Sequence, residues 1–84
     1  MVNILKELEV LFRDNFDDDT IELSEDTLFE EIEAWDSMEQ VNIITMIEEL
    51  YEFKFNVGEM TAMSSAKGVK EMMMIIAAKI EKLE

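Results

Sequence analysis

Ser37 and the Asp36 before it form the one Asp-Ser pair in this chain. A serine hydroxyl becomes a nucleophile when a neighbouring base takes its proton. The sequence contains 0 His and 0 Cys, so a self-contained Ser-His-Asp device is excluded by composition. A carboxylate, with an ordinary pKa of about 4, is a weak base for that task. Any reaction at Ser37 must therefore be driven by a second enzyme. A phosphodiester formed there would lie at the positive end of a helix dipole, near unpaired backbone N–H groups. An Asp-Ser pair is also a common way to start a helix, with no chemistry attached.

The run Asp17-Asp18-Asp19 suggests calcium. Read from Asn15, an EF-hand loop places Asp17 and Asp19 at ligand positions. Thr20 then occupies the turn that needs Gly, and Asp26 stands where a bidentate Glu belongs. Read from Asp17, Ile21 falls on a ligand position. The sequence supports weak surface binding of divalent ions and no dedicated metal site.

The 84 residues include 21 acidic and 7 basic side chains, a net charge of −14, with 49% hydrophobic residues. That length suits one domain over 1–84, and the apolar content is too high for a disordered acidic tail. Absent Cys excludes a disulfide framework and a thiolate zinc site. The negative charge argues against nucleic acid or anionic lipid as partner. No run approaches a membrane span of about 20 residues, and no leader opens the chain. A small cytoplasmic monomer that works through partners is expected, not an enzyme.

The charge is unevenly placed. Between Asp14 and Phe53 there are 15 acidic residues and no Lys or Arg. Such a stretch is either a solvated acidic loop or a docking surface for basic partners.

Absent Pro and only Gly58 and Gly68 favour an all-α fold. Ile4, Leu5, Leu8, Leu11, Phe12 and Phe16 recur at helical steps and predict a first helix over residues 2–16. Residues 17–36 show no sustained period and read as a long ordered loop, pinned by Leu28, Phe29, Ile32 and Trp35. A second helix should start at Asp36 or Ser37 and reach Tyr51. Either Asp36 with Glu39 or Ser37 with Gln40 can form its capping box. Phe53-Lys54-Phe55 reads as extended, and Val57–Met63 as a turn or short helix. Ser64 or Ser65 should cap a last helix, with Val69, Met73, Ile76, Ile80 and Leu83 as its apolar stripe.

On the second helix, Ile43, Ile44, Met46, Ile47, Leu50 and Tyr51 share one face, which predicts the core side. Met38, Val41 and Thr45 fall in the opposite sector, among Glu48, Glu49 and Glu52. An apolar strip rimmed by carboxylates suits protein docking. Alternatively Met38 and Val41 pack under the loop. The eight Met, with Met72-Met73-Met74, suit adaptable core filling better than a calmodulin-like surface.

Glu31-Ile32-Glu33-Ala34-Trp35-Asp36-Ser37-Met38, then Val41, Ile43-Ile44, Ile47-Glu48-Glu49, Tyr51 and Phe53-Lys54-Phe55, resemble an acyl carrier protein over the whole chain. The resemblance implies a four-helix bundle with a long first loop and a short third helix. It implies 4′-phosphopantetheine on Ser37, transferred from coenzyme A by a magnesium-dependent phosphopantetheinyl transferase whose metal Asp36 helps hold. Acyl or aminoacyl groups would then travel as thioesters on the arm's thiol. By the same resemblance, Met38, Glu39, Val41, Thr45, Glu48 and Glu49 meet ligases, synthases and transferases through their basic patches. The family usually places Gly and a small residue before Asp-Ser, where this chain has Ala34-Trp35. Trp-Asp-Ser occurs in stand-alone and specialised-pathway carriers, and Asp-Ser-Met also in D-alanyl carrier proteins. An unmodified acidic adaptor with Met38 and Val41 as its docking strip is the alternative reading.

Overall fold

A computed structural model of the chain describes residues 3–83. Asn3 opens the first helix by accepting the Lys6 N–H on its side-chain oxygen at 3.1 Å. The helix, α1, runs Ile4–Phe16 and buries Leu8, Leu11 and Phe12, with Ile4, Leu5 and Phe16 packed at the core's edge. Val2, which the apolar spacing places at the start of this helix, lies outside the described residues. Asp17 ends α1 in the left-handed conformation, φ 51°, and donates its N–H to the Arg13 and Asp14 carbonyls.

The long loop after α1 is fixed by the last basic residue before it. Arg13 Nε donates to the Ile21 carbonyl at 2.7 Å, and the guanidinium pairs with Glu9 at 3.3 Å. The second Glu9 oxygen accepts the Leu23 N–H at 3.0 Å. Asp18 accepts both the N–H and the hydroxyl of Thr20, which holds its carboxyl below the usual carboxylate range. A 3₁₀ turn follows over Phe29–Glu31, where Glu31 accepts the Leu28 N–H at 2.6 Å. Phe29 is buried, and Ile32 and Trp35 pack against the core. The Leu28 side chain, expected to pin the loop, is exposed; its backbone does the anchoring instead. Leu28 forms an antiparallel bridge with Gly68, made by Phe29 N–H to Lys67 O at 2.9 Å and Val69 N–H to Thr27 O at 3.0 Å.

Helix α2 runs Ser37–Tyr51, α3 Val57–Ser65 and α4 Val69–Leu83. α1 packs on α2 and α4, and α3 packs on α2 and α4. Phe53 and Phe55 point into the core with Lys54 outward, the alternation of an extended segment. Asn56 and Glu59 cap α3 reciprocally, each side chain accepting the other's N–H at 2.8 Å. Lys79 from α4 joins them, 2.9 Å from Glu59, and its ammonium lies 5.8 Å from the centre of the Phe53 ring.

Three expectations need correction. Ser64 and Ser65 close α3 and do not cap α4. The reason is the Gly68 bridge: the chain must cross Thr27 before α4 can begin at Val69. On α4 the fully buried positions are Val69, Met72 and Ile76, with Met73 only half-buried; the Leu83 side chain lies outside the described residues. On α2 Leu50 is 45% exposed, and Gln40 and Glu48 take buried places beside Ile43, Ile44 and Ile47. The core face of α2 is therefore rotated toward two polar residues, both of which find backbone partners.

Gly68 carries the bridge because no side chain fits there. A Cβ at this position would stand 2.8 Å from the Thr27 carbonyl oxygen and 3.2 Å from Leu28 Cδ2. Gly68→Ala should therefore separate the loop from α4 and cost about 1–3 kcal/mol, the usual cost of overpacking. At roughly 4–8 °C per kcal/mol for a domain this small, thermal melts resolve that loss easily. An unchanged melting temperature would show the bridge to be unimportant.

Candidate functional site

Ser37 is the first residue of α2 and is exposed. Asp36 before it is extended and caps the helix, accepting the Glu39 N–H on Oδ1 at 2.9 Å. Glu39 does not return the bond; its Oε1 accepts from Asn42 at 3.1 Å. The Asp36 carboxylate is thus engaged as a cap, consistent with a serine that has no base of its own.

What holds this corner is aromatic. Trp35 lies 4.6 Å from Phe29 and 5.4 Å from Phe12 between ring centres, both near-parallel, and 5.9 Å from Phe16. Phe12 and Phe29 are themselves 6.0 Å apart. Pairs at these spacings contribute about 0.5–1.5 kcal/mol beyond their buried area. The loop, α1 and the start of α2 are thereby joined one residue before Asp36. Ala34 turns the chain into this cluster with φ 69°, a left-handed conformation that a side chain resists.

The outward face of α2 is largely as the helical wheel places it. Met38 is 75% and Val41 55% exposed, so neither packs under the loop. Thr45 and Glu49 are exposed with them, Glu39 is half-buried, and the Thr45 hydroxyl donates to the Val41 carbonyl. Glu48 is the exception. It is only 8% exposed, and its Oε2 accepts the Phe55 N–H at 2.8 Å, tying α2 to the extended segment. A carboxylate in that role is structural and cannot rim a docking strip.

Gln40, offered by the sequence as a capping-box partner of Ser37, does not serve as one, because Asp36 is the cap. In the structure it is buried, and Nε2 donates to the carbonyls of Met63 at 2.8 Å, Ser64 at 3.1 Å and Ala66 at 3.1 Å. One amide thus reaches three carbonyls at the end of α3, where helical partners run out. The only sequence signal was its register, three and seven residues before Ile43 and Ile47.

An open depression of about 580 Å³ lies beside Ser37. It is lined from the loop by Leu28, Phe29, Glu30 and Trp35, from α2 by Ser37 and Gln40, and from the α3–α4 connection by residues 64–67. A second depression of about 500 Å³ lies under the loop, with Asp18, Glu22, Glu31 and Glu33 about an apolar floor of Phe16, Ile21 and Ile32. Among the described residues no group of three or more acidic side chains is placed to hold a metal ion. None of the described helices is long and apolar enough to cross a membrane.

This architecture is similar to the solution NMR structure of a holo acyl carrier protein from Geobacter metallireducens. The two are 33% identical, with a TM-score of 0.81 over 98% of this chain and 91% of that one. The chain belongs to the acyl carrier protein family. No protein-family profile and no curated protein matches it. The four α-helices of the described residues form that family's bundle, and the likeness supports a carrier role rather than catalysis.

The acyl carrier protein frame gives Ala34 its meaning, since Gly usually precedes Asp-Ser by one small residue in this family. Here Ala34 stands at that position and takes a left-handed conformation, φ 69°. Ala34→Gly should therefore stabilise the protein, by about 1 kcal/mol, because the left-handed penalty exceeds the extra entropy of an unfolded Gly. The check is a denaturant or thermal unfolding curve. Destabilisation would mean that the turn is not strained.

Proposed function

We propose that this acyl carrier protein bears 4′-phosphopantetheine on Ser37 and carries acyl or aminoacyl groups on it as thioesters. The observation that carries the proposal is an exposed serine at the first turn of α2, capped by Asp36, in a chain of this family. The holo form of the similar structure supports it. The residues present fit the group. Ser37 offers an unhindered hydroxyl, and the first turn of α2 offers backbone N–H groups and a positive dipole end to a phosphodiester. When bound, the group supplies a thiol that this Cys-free chain lacks.

Attachment forms a bond between Ser37 Oγ and the pantetheine-side phosphorus of coenzyme A. It breaks the pyrophosphate bond, releases adenosine 3′,5′-bisphosphate, and passes the hydroxyl proton to a base of the transferase. Asp36, the residue before Ser37, would help hold the transferase's magnesium through the oxygen that does not cap α2. The chain works as a substrate of enzymes in the cytoplasm. Met38, Val41 and Thr45 give the apolar contact on α2, with Glu39 and Glu49 as charges toward basic patches on a transferase, ligase or synthase.

Coenzyme A, magnesium and a broad-specificity phosphopantetheinyl transferase should add one phosphopantetheine, found on the Ser37 peptide by mass spectrometry. Ser37→Ala should accept none and should keep its fold, losing no more than the roughly 0.5–2 kcal/mol of a helix-start substitution. Labelling at Ser24, Ser64 or Ser65 would contradict the assignment.

Adjacent glutamates should respond oppositely to charge reversal. Glu49→Lys should slow loading several-fold with little effect on melting, because rim charges act mainly on association rate. Glu48→Lys should lower stability by at least the ~1–3 kcal/mol of an unsatisfied buried N–H, that of Phe55. Loading kinetics indifferent to Glu49→Lys, and to salt that shortens the Debye length from about 10 to 3 Å, would remove the docking role.

A further inference from the structure

We infer that Met38 is an oxidation site, at which a peroxide turns the thioether beside Ser37 into a sulfoxide and so slows the loading of the serine. The inference rests on the attachment and the docking strip proposed above.

Exposure sorts the methionines. Met63 and Met72 are fully buried, and Met46, Met60 and Met73 are half-buried against the core. Among the described residues only Met38, 75% exposed, and Met74, 64% exposed, hold their side chains in solvent. Burial shields a thioether from oxidants, so these two should take up oxygen first. They differ in place. Met38 is the second residue of α2, next to Ser37, and shares the outward face with Val41. Met74 lies midway along α4, a helix that packs on α1 and α3. One methionine therefore stands at the docking strip, and the other serves as its control.

The surroundings select the oxidant. Asp36 and Glu39 flank the Ser37-Met38 pair, within a stretch from Asp14 to Phe53 that has no Lys or Arg. That field repels anionic oxidants and leaves an uncharged one, such as hydrogen peroxide, free to approach. The Met38 sulfur attacks one peroxide oxygen, an S–O bond forms and the O–O bond breaks. The sulfur loses two electrons, and the departing hydroxide takes a proton to leave as water. Reversal consumes two thiols, which become a disulfide while the sulfoxide oxygen leaves as water.

The consequence follows from the use of the strip. A thioether is apolar and polarizable, and it adapts to the surface it meets. A sulfoxide is a polar acceptor, and an interface that buries it must supply a donor or leave it unsatisfied. The bundle is indifferent, because Met38 contributes nothing to its core.

The test treats apo protein with hydrogen peroxide, removes the excess with catalase and maps the oxidised methionines by mass spectrometry. Met38 and Met74 should gain oxygen before Met63 and Met72. Loading from coenzyme A by the transferase should then slow about tenfold, the cost of losing one well-packed apolar contact. The melting temperature should stay the same, and methionine sulfoxide reductases acting on both epimers, with dithiothreitol, should restore the rate. Met74→Leu should lose as much rate to peroxide as wild type does. Met38→Leu, compared with its own untreated form, should lose none. Oxidation spread evenly over buried and exposed methionines would overturn the inference. So would oxidised protein that loads at the untreated rate, a Met38→Leu variant still sensitive to peroxide, or a loss of loading that tracks a fall in melting temperature. Untreated protein that accepts no phosphopantetheine would instead overturn the attachment on which the inference rests.

Discussion

The stacking of Trp35 on Phe12 and Phe29, with Phe16 alongside, joins three parts of the chain that charge would otherwise drive apart. Between Asp14 and Phe53 the sequence has 15 carboxylates and no cation, and like charges about 4 Å apart repel by roughly 1 kcal/mol even in water. Dispersion and burial of rings do not depend on charge, so the aromatic cluster can hold an acidic segment that ion pairs cannot. Arg13 and Glu9 fix the loop's beginning and the Gly68 bridge fixes its end. Trp35 sits where both meet α2, one residue before the cap and two before Ser37. The serine's position follows from this junction, which is also where Ala34 is forced into a left-handed turn.

α2 then does two opposite things along its length. Inward it buries Gln40 and Glu48, whose polar atoms bond to the end of α3 and to Phe55 N–H. Outward it leaves Met38 and Val41 exposed. Buried polar groups are costly without partners and permissible with them. These two have partners, so α2 is tied to α3 by directional bonds as well as by packing. A carrier needs a face that enzymes can grip without loosening the bundle behind it, and this division of labour supplies one.

The first, second and last helices were legible because their apolar residues keep the 3.6-residue period, and the start of α2 because Asp36 is a good cap; the caps Asn3 and Asn56 emerge only from the structure. The position of Ser37 was legible for the same reason: an Asp before an amphipathic run is a helix start. What the pattern misplaced were residues whose burial depends on a partner distant in sequence. Glu48 read as solvent-facing and Gln40 as a capping residue because nothing local reveals that Phe55 N–H and the Met63 carbonyl need them. Leu28 and Leu50 read as buried because hydrophobicity alone does not say which apolar residues a small core has room for. The start of α4 was set by the loop crossing at Gly68, a tertiary contact, and not by the Ser64-Ser65 pair that resembles a cap. The depression beside Ser37 is lined by residues 28–30 and 64–67, far apart in sequence and brought together by the bridge.

That this chain is a phosphopantetheine-bearing carrier is tested most directly on protein taken from the cells that make it. Its intact mass should be measured before and after mild cleavage of thioesters, followed by mapping of the Ser37 peptide. The account predicts one phosphopantetheine on Ser37, with an additional mass that the cleavage removes. A Ser37 peptide found wholly unmodified in those cells would contradict it and leave an acidic docking protein in its place.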